Sequence, residues 1–191
     1  MMADLKVLND AEEKELWRLL RFYRREAGRC RRARAHLAGC VMLGAALETL
    51  LVLMVNASEE EALATGLAPK KGRSQKPLLE WGLSEMLRVA AAAGWMPATF
   101  QNAAKEWNHK TASIGDYATL ARKIRNLVHP RQVLEGYYRC RSTEGLFKAQ
   151  LRIFNACRRA LSSANAKSLR EALDREATTA RARRPTRTDR A

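Results

Sequence analysis

Apolar residues recur along this chain at intervals of three and four, and the alternating pattern of a half-buried strand is absent. Nearly every segment therefore reads as helix. Asn9 or Asp10 can cap a first helix, with Glu12 and Glu13 suited to the positive end of its dipole. Leu16, Leu19, Leu20 and Tyr23 give that helix an apolar stripe, while Arg18, Arg21, Arg24 and Arg25 spread over much of the rest. Gly28 is expected to end or bend it. A second helix from about Arg31 to Asn56 carries Leu37, Val41, Leu47, Leu51 and Met54 near one stripe, but apolar neighbours fill its other sides too. A helix apolar all round belongs in the middle of a bundle. Asn56 to Ser58 break it.

Gly66 to Pro77, with Pro69, Lys70, Lys71, Gly72, Arg73 and Lys76, reads as an exposed basic loop. Pro77 to Ala93 reads as a third helix, Gly94 to Pro97 as a break, and Ala98 to Asn108 as a short helix. Asp116 then caps or opens a helix through Val128 that Pro130 stops. Glu144 to Ser163 is a further helix, which Ser168 to Ala177 can extend. The pattern is that of one all-α helical domain over residues 1–177. A tail over 178–191 follows, with five arginines and no large apolar residue. Such a tail cannot bury enough surface to offset ordering entropy, so it is expected to be disordered.

Charge sharpens this picture. Lys and Arg number 35 against 20 Asp and Glu, a formal net charge of +15. That excess repels itself in a compact state, so a polyanionic partner is one reading and a solvated arginine-rich surface the other. Leu37 to Val55 holds a single charge, Glu48, over a length that fits a membrane span. A carboxylate near the middle of a span costs about 2.5–3.5 kcal/mol, so a buried central helix is favoured and no membrane is expected. Cys30, Cys40, Cys140 and Cys157 form no C-x-x-C pair, and no cleavable signal opens the chain. A cytoplasmic protein with reduced thiols, no metal and no cofactor follows as the default.

The segment Asp116 to Arg131 carries the candidate chemistry. On a helical wheel, Leu120, Ile124, Leu127 and Val128 share one sector, and Arg122, Arg125, Asn126 and His129 share the opposite one. Arg122 and His129 are two turns apart and align within about 20°. Guanidiniums can hold a phosphodiester and neutralise charge developing on it, and an imidazole can move a proton near neutral pH. A polar face opposite an apolar stripe is equally what any surface helix shows.

Arg122, with six residues before His129, matches the R-x(4–6)-H motif of HEPN domains. The string Arg125-Asn126-Leu127-Val128-His129-Pro130 resembles the R-N-x-x-H-P form of many bacterial members, and the helix carrying Gly44 to Glu48 resembles the one packed beside the motif helix. The resemblance spans about Ala11 to Ala160. It implies an antiparallel helical bundle, commonly a homodimer, whose two motif helices meet at the interface. It also implies a metal-independent endoribonuclease, with a possible place in a toxin–antitoxin or defence system beside a nucleotidyltransferase-type antitoxin. In that reading His129 is the general acid or base, Arg122 binds the scissile phosphate and Asn126 orients the site. Lys123, Arg125 and Arg131 contact RNA, although Arg125 falls outside the usual spacing. Asp116 and Glu48 are supporting residues, Glu48 either hydrogen-bonding the motif or serving as a buried acid paired for folding. The alternative is a HEPN module that binds RNA or protein without cutting.

Other polar residues attract no role. His36 reads as a helix-surface residue and His109 as a loop residue, and neither has a metal-ligand neighbour at suitable spacing. Trp17, Trp81, Trp95 and Trp107 read as core anchors rather than base-stacking platforms. P-loop, G-x-G-x-x-G and G-x-S-x-G strings are absent.

Overall fold

Asn9 starts the first helix, α1 (Asp10–Arg32), as its sequence suggests. Its side-chain Oδ1 accepts from the Ala11 and Glu12 N–H groups at 3.0 Å, and the Glu12 carboxylate accepts from the Asn9 N–H at 2.9 Å. Otherwise orphaned donors are thereby satisfied. A computed structural model of the chain describes residues 5, 7–72, 74–96 and 143–182, with the side chains of the last stretch between Glu144 and Asn165. These residues are mostly helical and define an all-α fold with one minimal sheet.

Gly28 does not end α1. The helix stops four residues later, where Arg34 takes a left-handed conformation (φ 58°). There the Ala35 N–H donates to the Cys30 carbonyl at 2.9 Å and the Arg34 N–H to that of Arg31 at 3.2 Å. This closure satisfies the last carbonyls without a glycine. The chain turns directly into α2 (His36–Ala57), which folds back along α1. Asn56 ties the far end of this hairpin, accepting from the Leu8 N–H at 2.8 Å and donating to Glu13 at 3.0 Å.

Helix α2 is the axis of the fold. Cys40, Leu43, Leu47, Leu51 and Val55 are almost wholly buried, as are their neighbours Ala46 and Leu53. Each large side chain so buried contributes about 1.5–3 kcal/mol. By length and composition α2 could cross a membrane, but most of it is buried inside the protein, as expected of a core helix. Ser58 separates it from α3 (Glu59–Ala64), a short helix absent from the sequence expectation.

The basic loop holds a two-stranded antiparallel ladder, β1 (Lys70–Lys71) paired with β2 (Ser74–Gln75). The expected third helix is also interrupted. Residues 78–80 form one 3-10 turn, Trp81 is extended, and α4 (Leu83–Ala92) begins after Gly82. The break coincides with the burial of one large side chain. Trp81 turns inward, with only 4% exposure, and its indole N–H donates to the Lys76 carbonyl at 2.8 Å. Glu85 then caps α4 by accepting from the Gly82 N–H at 2.6 Å and from Lys76 at 3.0 Å. The Gly82 N–H, followed by Lys76, holds the Glu85 carboxyl below its ordinary range. Gly94, at φ 70°, closes α4 and directs Trp95 into the core, where its indole donates to Glu61 at 2.7 Å. Trp81 and Trp95 are the anchors expected. Trp17 is not, being 43% exposed on the outer side of α1 with its indole on Glu13.

The last described helix, α5 (Thr143–Ala182), is continuous through both expected segments and runs into the expected tail at 178–182. Residues 183–191, and the helices expected over 98–108 and 116–128, lie outside the described residues. Helices α1, α4 and α5 all pack on α2. Helix α5 approaches closely at Gly39, where an added Cβ would stand 2.6 Å from the Phe147 ring. The Gln150 amide, also buried, donates to the Cys40 carbonyl at 2.9 Å beside this contact.

Two glycine-to-alanine changes separate packing from propensity. At Gly28 a Cβ meets only the tip of Arg32 at 4.0 Å, so Gly28→Ala is expected to stabilise by roughly 0.5–1 kcal/mol. At Gly39 the same change collides with a buried ring and is expected to destabilise by about 1–3 kcal/mol. Urea unfolding of both variants measures the two signs. Equal effects of either sign would contradict the close helix contact. The depressed Glu85 carboxyl makes a separate expectation. Its contribution is present above the ordinary carboxylate value of 4.5 and lost as pH falls through its lower folded value. Glu85→Gln should therefore lower the melting temperature near neutral pH and progressively less at acid pH.

Candidate nucleic-acid interface

Of the candidate site residues read from the sequence, Glu48 alone falls within the described part of the fold. It is half-buried on α2, among the residues that make that helix the axis. Asp116, Arg122, Lys123, Arg125, Asn126, His129 and Arg131 lie outside the described residues, so the spacing of the Arg122 and His129 side chains stays an inference from the helical repeat. Trp107 and His109 lie outside as well. His36 opens α2 half-buried, its ring centroid 6.2 Å from that of Phe147.

The described residues do present a site of their own kind on α1. Two arginines there have local carboxylates. Arg18 pairs with Glu15, whose carboxyl it holds below the usual range, and Arg29 pairs with Glu26 at 2.7 Å. Arg21, Arg24, Arg25 and Arg31 have no carboxylate partner among the described residues. At 100° per residue these four fall within about 120° of arc, so they stand along one side of the helix rather than around it. The apolar stripe of α1, with Leu20 and Ala27 buried, holds the adjacent side against α2.

This arrangement creates a groove. Helices α1 and α5 both rest on α2 and leave a space of about 420 Å³ between them. Arg21, Arg24, Arg25 and Arg31 line one wall and Asn155 stands on the other, over a floor that includes Leu43 and Phe154. The Arg24 guanidinium lies 5.9 Å above the Phe154 ring. A cation held over an aromatic face in this way keeps its charge while its orientation is restrained. No spacing argument along the sequence reveals the groove, because its walls come from segments about 120 residues apart. The run of arginines at helical intervals was its one visible sign.

The thiols show no comparable chemistry. Cys40 and Cys157 are fully buried, and burial pushes the Cys157 thiol up to about 12. Cys30 is half-buried, and no disulfide joins any two of these three. Among the described residues no three His, Cys, Asp or Glu side chains stand together as a metal cluster would require. Comparison with models of known protein families, with curated protein sequences and with solved structures finds no match to this chain.

A thiolate is the reactive form of cysteine. Brief alkylation of the folded protein near pH 8, followed by peptide mapping, is therefore expected to modify Cys30 before Cys40 and Cys157. Fast labelling of Cys157 in the folded state would show that its environment is wetter than described.

Proposed function

We propose that this protein is a HEPN-like RNA-binding protein that cleaves RNA without a metal. The observation that carries the proposal is the string Arg125-Asn126-Leu127-Val128-His129-Pro130, with Arg122 two helical turns before His129. The net charge of +15, the four arginines of α1 with no carboxylate partner among the described residues and the buried helix bearing Glu48 support it. In this reading the bundle forms a homodimer that brings two motif helices together, in the reducing cytoplasm. A nucleotidyltransferase-type partner would then hold it in check.

The chemistry is a transesterification. The ribose 2′-hydroxyl attacks the adjacent phosphorus while its proton passes to a base. The bond from phosphorus to the 5′-oxygen breaks, and that oxygen receives a proton as it leaves. One product ends in a 2′,3′-cyclic phosphate and the other in a 5′-hydroxyl. His129 moves one of these protons. Arg122 binds the non-bridging oxygens and stabilises the charge that grows on them, and Asn126 orients the phosphate or the imidazole. Lys123, Arg125 and Arg131 hold neighbouring phosphates, and Asp116 and Glu48 support the motif helix. Arginine suits the phosphate role because its planar fork matches two oxygens at once.

Incubation of the pure protein with RNA in EDTA tests the proposal. Cleavage with cyclic-phosphate ends is expected, reduced about 10²–10⁴-fold by His129→Ala and about 10²–10³-fold by Arg122→Ala. Cleavage that survives His129→Ala would remove the mechanism. Tight RNA binding without cleavage would instead favour a non-catalytic HEPN module, a reading that the arginine groove favours in its own right because it needs no histidine.

A further inference from the structure

We infer that the groove between α1 and α5 is a binding site for single-stranded RNA, holding one nucleotide over its apolar floor with the flanking phosphates on Arg21, Arg25 and Arg31. The inference rests on RNA being the ligand of this protein, but it concerns a surface separate from the residues assigned to cleavage.

Three observations converge on that occupant. The first is charge. Four guanidiniums stand in a row with no carboxylate among the described residues to neutralise them. Arg31 lies in the last turn of α1, where a cation is favoured by the helix dipole alone. Arg21, Arg24 and Arg25 lie mid-helix, where the dipole accounts for nothing. From Arg21 to Arg31 the helix rises about 15 Å, enough to follow two or three successive phosphates.

The second observation is size. A volume of about 420 Å³ falls within the range of roughly 300–1,000 Å³ typical of small-ligand sites. The groove has room for one nucleotide.

The third observation is the chemistry of the walls. Half-buried Leu151 lines the groove and can meet the face of a base or ribose, while Leu43 and Phe154 in the same lining are almost wholly buried. Arg24, held over Phe154, offers a restrained guanidinium plane on which a base can stack. The Asn155 amide on the opposite wall can both donate to and accept from a base edge. Phosphate contacts of this kind are sequence-tolerant, so the groove anchors a strand rather than selecting a sequence.

The test is a fluorescence-anisotropy titration of the full protein with a short single-stranded RNA carrying 2′-O-methyl sugars, which can be bound but not cleaved. Arg24 is left in place because it packs on Phe154. Removing one cation from a single-strand phosphate costs about fourfold in affinity near 0.15 M salt. The triple variant Arg21→Gln, Arg25→Gln, Arg31→Gln is therefore expected to bind about 50-fold more weakly, with a log–log salt slope shallower by about 2. Asn155→Glu keeps every arginine but places a carboxylate in the groove, and should weaken binding several-fold. Circular dichroism melts confirm that both variants fold as the parent does. Parental affinity in both folded variants overturns the groove while leaving the cleavage proposal intact. Loss of binding to an acidic helical peptide, with RNA binding kept, also overturns it. A parent that binds no RNA at any salt overturns both.

Discussion

A helix that is apolar on every side has to be surrounded, and α2 imposes that constraint on everything around it. Its inner residues can leave water only if other helices cover them, and α1, α4 and α5 do so. The cover is tight. Gly39 lets the Phe147 ring come closer than any side chain would permit, and Gln150 fastens the same point by donating to the Cys40 carbonyl. Dense interiors transmit small changes in volume, so this contact sets where α5 lies.

The position of α5 in turn makes the charged surface useful. Helix α1 places Leu20 and Ala27 against α2, which leaves its arginines on the neighbouring side of the helix. Some are neutralised locally by Glu15 and Glu26, and others line the space that α5 borders. Like charges held in a row repel one another, and water and salt screen that repulsion only in part. A polyanion relieves it. The core thus fixes the spacing of its two flanking helices, and that spacing turns a basic helix into a walled groove.

Much of the fold was legible in the sequence where local chemistry decides it. Asn9 with Glu12 marks the start of α1, and Cys40, Trp81 and Trp95 are core residues as their surroundings suggest. The misreadings share a cause, which is that tertiary contacts override local preference. Gly28 continues a helix because the chain turns instead at Arg34. The helix expected from Pro77 is broken at Trp81, where the extended backbone goes with an indole buried in the core. Trp17 stays outside because the inward stripe of α1 runs through other positions. The candidate site divides in the same way. The string ending in His129 and Pro130 can be read from spacing, whereas the groove depends on the gap between α1 and α5 and has no linear signature.

The central claim is that this basic bundle grips RNA through particular helical faces rather than through diffuse charge. Photo-crosslinking to a thiouridine-containing RNA, with the attached peptides mapped by mass spectrometry, tests that most directly. The account predicts crosslinked peptides from the α1 segment between Arg21 and Arg31, and from the segment between Arg122 and Arg131. Crosslinks confined to the arginine-rich residues 183–191, or spread evenly over every basic peptide, would contradict it.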